Sequence, residues 1–236
     1  MPPHNDEPMA VAERYARREA RGLGDDLYSP LRVEVMLARQ QRQRVMLDLL
    51  SRHAPQPLDR LRVLEVGCGT GSNLLELASL GFDASRLVGN ELLAERAAAA
   101  RRQLPASTAL HEGDALTLPF ADASFDLVYQ STVFSSLLDI GFQQRLADAM
   151  WRWVRPGGAV LWYDFTCDNP RNPDVRGVPL ARVRALFPCA QIDARRVTLA
   201  PPLSRRAARL HPGLCRMLSV LPLLRTHLLC WIGKPR

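Results

Sequence analysis

Three alternate glycines, Gly67, Gly69 and Gly71 in Glu65-Val-Gly-Cys-Gly-Thr-Gly, narrow the possible folds of this 236-residue chain more than any other segment. They follow Leu61-Arg-Val-Leu-Glu-Val, a short apolar run of the kind that forms a strand buried on both faces. Asn73 to Leu80 comes next, with leucines at 74, 75, 77 and 80 at helical spacing and Gly81 as a natural cap. A glycine turn between a buried strand and a helix can take positive φ and bring backbone close to a ligand at the sheet's carboxyl edge. The spacing is G-x-G-x-G with Ser72 behind it, one position away from the G-x-G-x-x-G of dinucleotide sites, and it is preceded by an acid.

The same rhythm continues downstream. Arg86 to Glu91 reads as extended, Leu92 to Gln103 as an alanine-rich helix, and Ser107 to His111 and Phe125 to Ser131 as strands. A helix over Phe142 to Val154, closed by Arg155-Pro-Gly-Gly, leads to a strand over Ala159 to Phe165. Pro179 to Leu186 reads as a helix, Gln191 to Leu199 as a strand, Ser204 to Leu221 as mostly helical, and Thr226 to Ile232 as a last strand. Alternation of this kind predicts an α/β fold with a mainly parallel sheet and helices on both faces. Before it, residues 1–57 form a helical extension with helices over Met9 to Arg21 and Pro30 to His53. Residues 58–236 form the α/β domain, with an insertion at about 200–225.

Composition sets the class: 47% hydrophobic and 23% charged residues suit a globular chain and exclude general disorder. Charge-free apolar stretches such as Met217 to Leu224 run to 8 residues, well short of the ~20 a membrane span needs. The polar, acidic start Met1-Pro-Pro-His-Asn-Asp-Glu-Pro is unlike a secretory signal, so a cytoplasmic location is expected. Five widely spaced cysteines without a Cys-x-x-Cys pair indicate neither a disulfide framework nor a metal site. Charge is uneven: residues 1–170 hold 18 basic and 22 acidic residues, and residues 171–236 hold 13 and 2. Such a basic C-terminal region attracts nucleic acid, anionic lipid or a phosphorylated substrate alike, although an arginine-rich composition alone would also produce it.

Acids recur at the strand ends. Glu91 ends the second strand, where a carboxylate can accept from both ribose hydroxyls of a nucleoside. Asp114 follows the third, where it can accept from an adenine amino group. Either residue could instead cap a turn or sit in a solvated loop, but convergence at successive strand ends favours one crevice. Cys68, inside the glycine turn with no base beside it, reads as a small filler.

With these residues in place the chain resembles the class I S-adenosylmethionine-dependent methyltransferases. The matching stretches are Val63-Leu-Glu-Val-Gly-Cys-Gly-Thr-Gly, Val88-Gly-Asn-Glu-Leu, Glu112-Gly-Asp-Ala with Leu118-Pro-Phe-Ala-Asp-Ala-Ser-Phe-Asp-Leu-Val, and Trp153-Val-Arg-Pro-Gly-Gly. They cover roughly residues 60–165, and the acid is Glu91 where Asp is commoner in the family. The resemblance implies a Rossmann-like sheet of seven strands in the order 3-2-1-4-5-7-6 with an antiparallel last strand. It also implies S-adenosylmethionine as cofactor. Glu65 and Gly67 to Gly71, with Cys68 and Gly69 among them, would surround its methionine part, Glu91 the ribose, and Asp114 and Ala115 the adenine, with Leu92 also among the cofactor-binding residues. Gln130 and Ser131 would lie by the sulfonium, and the segments before the first strand would cover the cofactor, with Tyr15 and Tyr28 placed to do so.

The acceptor is expected to be a small molecule or a lipid- or glycan-type compound. Asp164 in Trp162-Tyr-Asp-Phe is the candidate general base, with partnership to Arg171 or Arg176 as its structural alternative; Tyr129, Tyr163, His4 and His111 are weaker candidates. Tyr129-Gln-Ser-Thr-Val-Phe is unlike the Asn-Pro-Pro-Tyr-type element of enzymes that methylate base amino groups, and Pro188-Cys189 stands in the wrong place for a cytosine C5 nucleophile. RNA remains an alternative acceptor, and a non-catalytic cofactor-binding scaffold and an NAD-type oxidoreductase are the rival readings. The insertion, basic and apolar, is expected to cap the acceptor and secondarily to touch an anionic inner-membrane surface.

Overall fold

The computed structural model describes residues 7–20, 29–54, 56–170 and 172–236. Helices α1 (Glu7–Ala20) and α2 (Val33–His53) precede strand β1 (Val63–Val66), helix α3 (Ser72–Ser79), strand β2 (Leu87–Glu91), helix α4 (Ala94–Gln103) and strand β3 (Ala109–Glu112). Then come β4 (Phe125–Ser131), α5 (Ile140–Trp153), β5 (Val154–Phe165), α6 (Leu180–Leu186), β6 (Gln191–Leu199), α7 (Pro201–Leu210), α8 (Pro212–Ser219) and β7 (Arg225–Gly233). The sheet order is β3-β2-β1-β4-β5-β7-β6. The first five strands are parallel, and β7 runs antiparallel between β5 and β6. Both match the expected topology.

Register brings the functional ends level. Val66 lies opposite Asn90 of β2 and Gln130 of β4, and Glu91 opposite Glu112. After β3 the chain crosses back to the other side of β1, so the order reverses between β1 and β4, where open α/β sheets form a ligand crevice. One face packs Leu64, Val66, Val128 and Trp162 under α5, α6 and α1; the other packs Val63, Leu127, Leu161 and Trp231 under α2 and α3. β1 is buried along its whole length, as a central parallel strand should be, which makes the acid within it, Glu65, an anomaly.

One segment differs from the sequence-based expectation. Arg155-Pro-Gly-Gly is not a free turn: β5 starts at once after α5, pairs Val154 with Phe125, shifts register and resumes at Ala159 opposite Leu127. Lys234 holds this irregular start, its Nζ donating to the carbonyls of Trp151 and Val154 at 2.7 Å each. The insertion is mostly helical, as expected, and divides into two helices at Pro212, where the His211 ring caps the Gly213 N–H at 3.0 Å. Both helices pack on α2 and β6. Among the described residues no helix is long and apolar enough to cross a membrane.

Candidate functional site

A crevice opens at the carboxyl ends of β1, β2 and β4 and beside the turn after β3. Gly67, Glu91, Leu92, Asp114, Ala115 and Ser131 line it. Pro8, Val11 and Tyr15 of α1 close its outer side. The turn after β1 needs its glycines: Gly67 and Gly69 have φ of +66° and +59°. A Cβ at Gly67 would stand 2.6 Å from the Val133 side chain, and one at Gly69 2.7 Å from the Arg96 guanidinium. Gly71, at φ +87°, is the N-cap position of α3. Cys68 is 4% exposed and packs in the core beneath the turn, where burial pushes its thiol up, as a filler would be placed.

Glu91 ties the turn to β2. One carboxylate oxygen accepts the Gly69 N–H at 2.8 Å and the other the Leu93 N–H at 3.0 Å. An ionised carboxylate has about four acceptor sites, so two remain for a ligand. Asp114 accepts the Leu116 N–H at 3.0 Å and caps the 3-10 turn Ala115–Thr117. It is therefore an N-cap and a crevice residue at once.

Glu65 is fully buried. Its Oε1 accepts from Asn73 Nδ2 at 2.6 Å, while Oε2 has no hydrogen-bond partner among the described residues. Burial raises its pKa to about 8, with Glu91 and Glu76 adding to the rise and Asn73 and Arg42 opposing it. Arg42 of α2, itself buried, donates to Asn73 at 3.0 Å, pairs with Glu76 and lies over the Tyr163 ring. Thus α2 supplies the counter-charge beneath the glycine turn.

Gln130 and Ser131 are the last residues of β4, within the expected strand. Ser131 faces the crevice, whereas Gln130 is buried and uses its amide internally, Oε1 accepting the Val133 N–H at 3.0 Å and Nε2 donating to the Tyr163 carbonyl at 3.4 Å. Asp164 does not line the crevice. Its two oxygens accept the backbone N–H groups of Ser135 at 3.1 Å and Phe165 at 2.9 Å. Burial raises its pKa to about 7 against those bonds. The expectation of a base facing the acceptor is corrected to an internal anchor of the loop after β4, because the side chain is wholly enclosed. Its partners are also not the expected ones: Arg176 bonds to Ser135 through its backbone, and Arg171 lies outside the described residues. Of the weaker candidates, Tyr129 is buried, the Tyr163 hydroxyl meets Thr198 at 2.9 Å, His111 stands edge-on to Phe120, and His4 lies outside the described residues.

Sequence reasoning missed the clamp that holds α1. Glu7, 1% exposed, accepts the Leu138 N–H at 2.7 Å and Arg14 at 2.6 Å, and Arg14 donates to the Ser136 carbonyl at 2.9 Å. Arg96 lies against the Tyr15 ring, 5.1 Å from its centroid, completing the cover. Tyr28 lies outside the described residues. Thr132, a β-branched residue at φ +58°, also lines the crevice. None carries a local sequence signal, since each depends on a contact made across the fold.

A family model described as a methyltransferase domain matches residues 64–162. Over these residues the chain is similar to methyltransferase domains, in line with the resemblance its motifs carry. Demethylmenaquinone methyltransferase of Deinococcus radiodurans is 36% identical over 116 residues, covering 48% of this chain and 44% of the relative. O-methyltransferase cnsE of Penicillium expansum is 33% identical over 159 residues, 64% and 54% of the two chains. The chain thus spans about half the length of the curated relatives it matches. Among solved structures, geranyl diphosphate C-methyltransferase from Streptomyces coelicolor A3(2) superposes over 100% of both chains with a TM-score of 0.65 and 15% identity, a likeness of fold. The residues fit the family's cofactor on their own geometry. The buried Glu65 oxygen lacks a partner that a cationic amine would supply, and the glycine turn keeps open a cradle that side chains would fill.

Proposed function

We propose that this chain transfers a methyl group from S-adenosylmethionine to a small-molecule acceptor with an apolar body. The observation that carries the reading is the convergence of Glu91, Asp114 and Gly67 of the glycine turn on one crevice, with a buried, unpartnered oxygen on Glu65 two residues before that turn. The cofactor supplies a methyl group already activated on a sulfonium. In this reading Glu91 receives the ribose hydroxyls on its free lone pairs, Asp114 the adenine amino group, and Leu92 and Ala115 flank the adenine ring. Gly67 to Gly71 and Glu65 hold the methionine end. Ser131 and Thr132 border the sulfonium side, and Gln130 and Asp164 position the loop that carries them. The α1 clamp excludes water, so rate comes mainly from holding acceptor and methyl in line rather than from proton abstraction.

The relatives named for demethylmenaquinone and geranyl diphosphate support an apolar lipid- or isoprenoid-type acceptor over a glycan or RNA. The basic C-terminal segment adds contact with a membrane surface to the expectation. Calorimetric titration with S-adenosylhomocysteine tests the cofactor half. Glu91→Ala should weaken that binding by about 1–3 kcal/mol, the cost of groups left unpaired, and no heat from the unaltered chain would refute the reading. Methyl-labelled cofactor with quinol and prenyl acceptors tests the other half: label confined to cofactor breakdown products across acceptors and cell extract would favour a scaffold.

A further inference from the structure

The insertion between β6 and β7 keeps exposed what the rest of the fold buries. α7 turns Ser204 and Ala207 inward and α8 turns Cys215 inward, toward each other and α2. On the outer side Leu210 is 78% exposed, Leu223 90%, and Met217, Val220 and Leu221 all more than half. Arg206, Arg209 and Arg216 stand exposed among them. From Ala194 to Arg236 there are nine basic residues and no acid. The expected role as a cap over the crevice is not the one this packing favours, because none of α7 or α8 lines the crevice and both lie against α2.

We infer that this face docks on an anionic lipid surface, its aliphatic side chains entering the interface and its arginines meeting headgroup phosphates. Aliphatic tips interspersed with cations suit that boundary, where apolar area leaves water while charge stays solvated. A second copy of the chain suits it poorly: a two-fold contact sets a patch against itself, and here that places arginines against arginines, with the acid at the margin, Glu34 of α2, already paired to Arg32. Nucleic acid suits it poorly too, since residues 200–225 hold no Phe, Tyr or Trp on which a base could stack, and the one ring there, His211, caps α8. Position adds to the case. β6 runs parallel to β5, because β7 is antiparallel to both, so the insertion leaves the sheet at the carboxyl edge that also bears the crevice. Docked there, the protein would turn that edge toward the phase in which an apolar acceptor dissolves. The docking itself stands apart from methyl transfer and is measured without turnover.

The test is sedimentation of the full chain with phosphatidylcholine vesicles, with and without phosphatidylglycerol, at low and physiological salt. Binding should require phosphatidylglycerol and fall as salt rises. Arg206→Ala with Arg209→Ala and Arg216→Ala should lower partitioning on the order of fivefold per arginine and flatten the salt dependence. Leu221→Ser with Leu223→Ser should lower partitioning while leaving the salt dependence in place. These side chains are exposed, so unchanged thermal melting is the control for folding. Absence of phosphatidylglycerol-dependent binding overturns the proposal, as does equal binding by both variants. A concentration-dependent dimer that the same substitutions dissolve would also overturn it, making the face a contact between copies.

Discussion

The crevice at β1 and β2 and the insertion between β6 and β7 share one edge of the sheet but handle polar groups in opposite ways. At the crevice and in the core behind it, carboxylates are enclosed and met by backbone N–H groups: Glu91, in the crevice, by Gly69 and Leu93, and Asp164, inside, by Ser135 and Phe165. Such groups cost stability unless every bond is made, which fixes their geometry tightly. In the insertion the charged groups face water, and Leu210 and Leu223 are left beside them. A region whose buried groups are over-constrained holds one ligand geometry. A region bonded mainly on its inner face is free to use its outer face for association.

Substitution at Gly67 should break the crevice side most severely. Gly67→Val places a β-branched side chain at φ +66° and drives it into Val133. The expected cost is about 3 kcal/mol or more from strain and clash together, read as loss of S-adenosylhomocysteine binding and a lower midpoint in urea.

Smaller and dependent on pH is the effect of Asp164. Its pKa rises from 3.8 in the unfolded chain to about 7 when folded, so between these values the native state keeps a proton that the unfolded chain has released. Stability from that proton is complete below pH 3.8 and is lost as pH rises through about 7, with a slope of about 1.4 kcal/mol per pH unit in the window. Asp164→Asn should remove that part of the slope in urea titrations run from acid to neutral pH. An unchanged slope would mean the carboxyl is not the group that holds the proton.

Glu65 gives a finer probe. With a pKa of about 8 it is mostly protonated at neutral pH, and pairing with a cationic amine requires it to ionise. Cofactor binding at pH 7 should therefore release close to one proton, roughly, detected as a dependence of calorimetric heat on buffer ionisation. Glu65→Gln should abolish the release.

The smallest effect sharpens the contrast from the other side. Leu223→Ser alone should leave both urea stability and S-adenosylhomocysteine affinity within about 0.5 kcal/mol, because the side chain is exposed. A larger loss in affinity would join the insertion to the crevice and erase the distinction.

Local sequence carried much of this. The glycine turn, the acid ending β2 and the strand ranges of β4 and β6 were legible because positive φ, strand-end position and apolar runs are properties of a few consecutive residues. Family resemblance added the strand order, since pairing between distant strands leaves no mark in any single window. What local pattern did not reveal depends on contacts across the chain: Glu7 on Leu138, Gln41 on Ser219, Arg42 beside Glu76, and Asp164 turned to Ser135. In the sequence Asp164 is simply an acid at a strand end. Whether such an acid faces a ligand or a loop depends on how the next segment folds back over it. The position of α7 and α8 on α2 has the same character, being set by the shape and burial of surfaces that meet only after the sheet has formed.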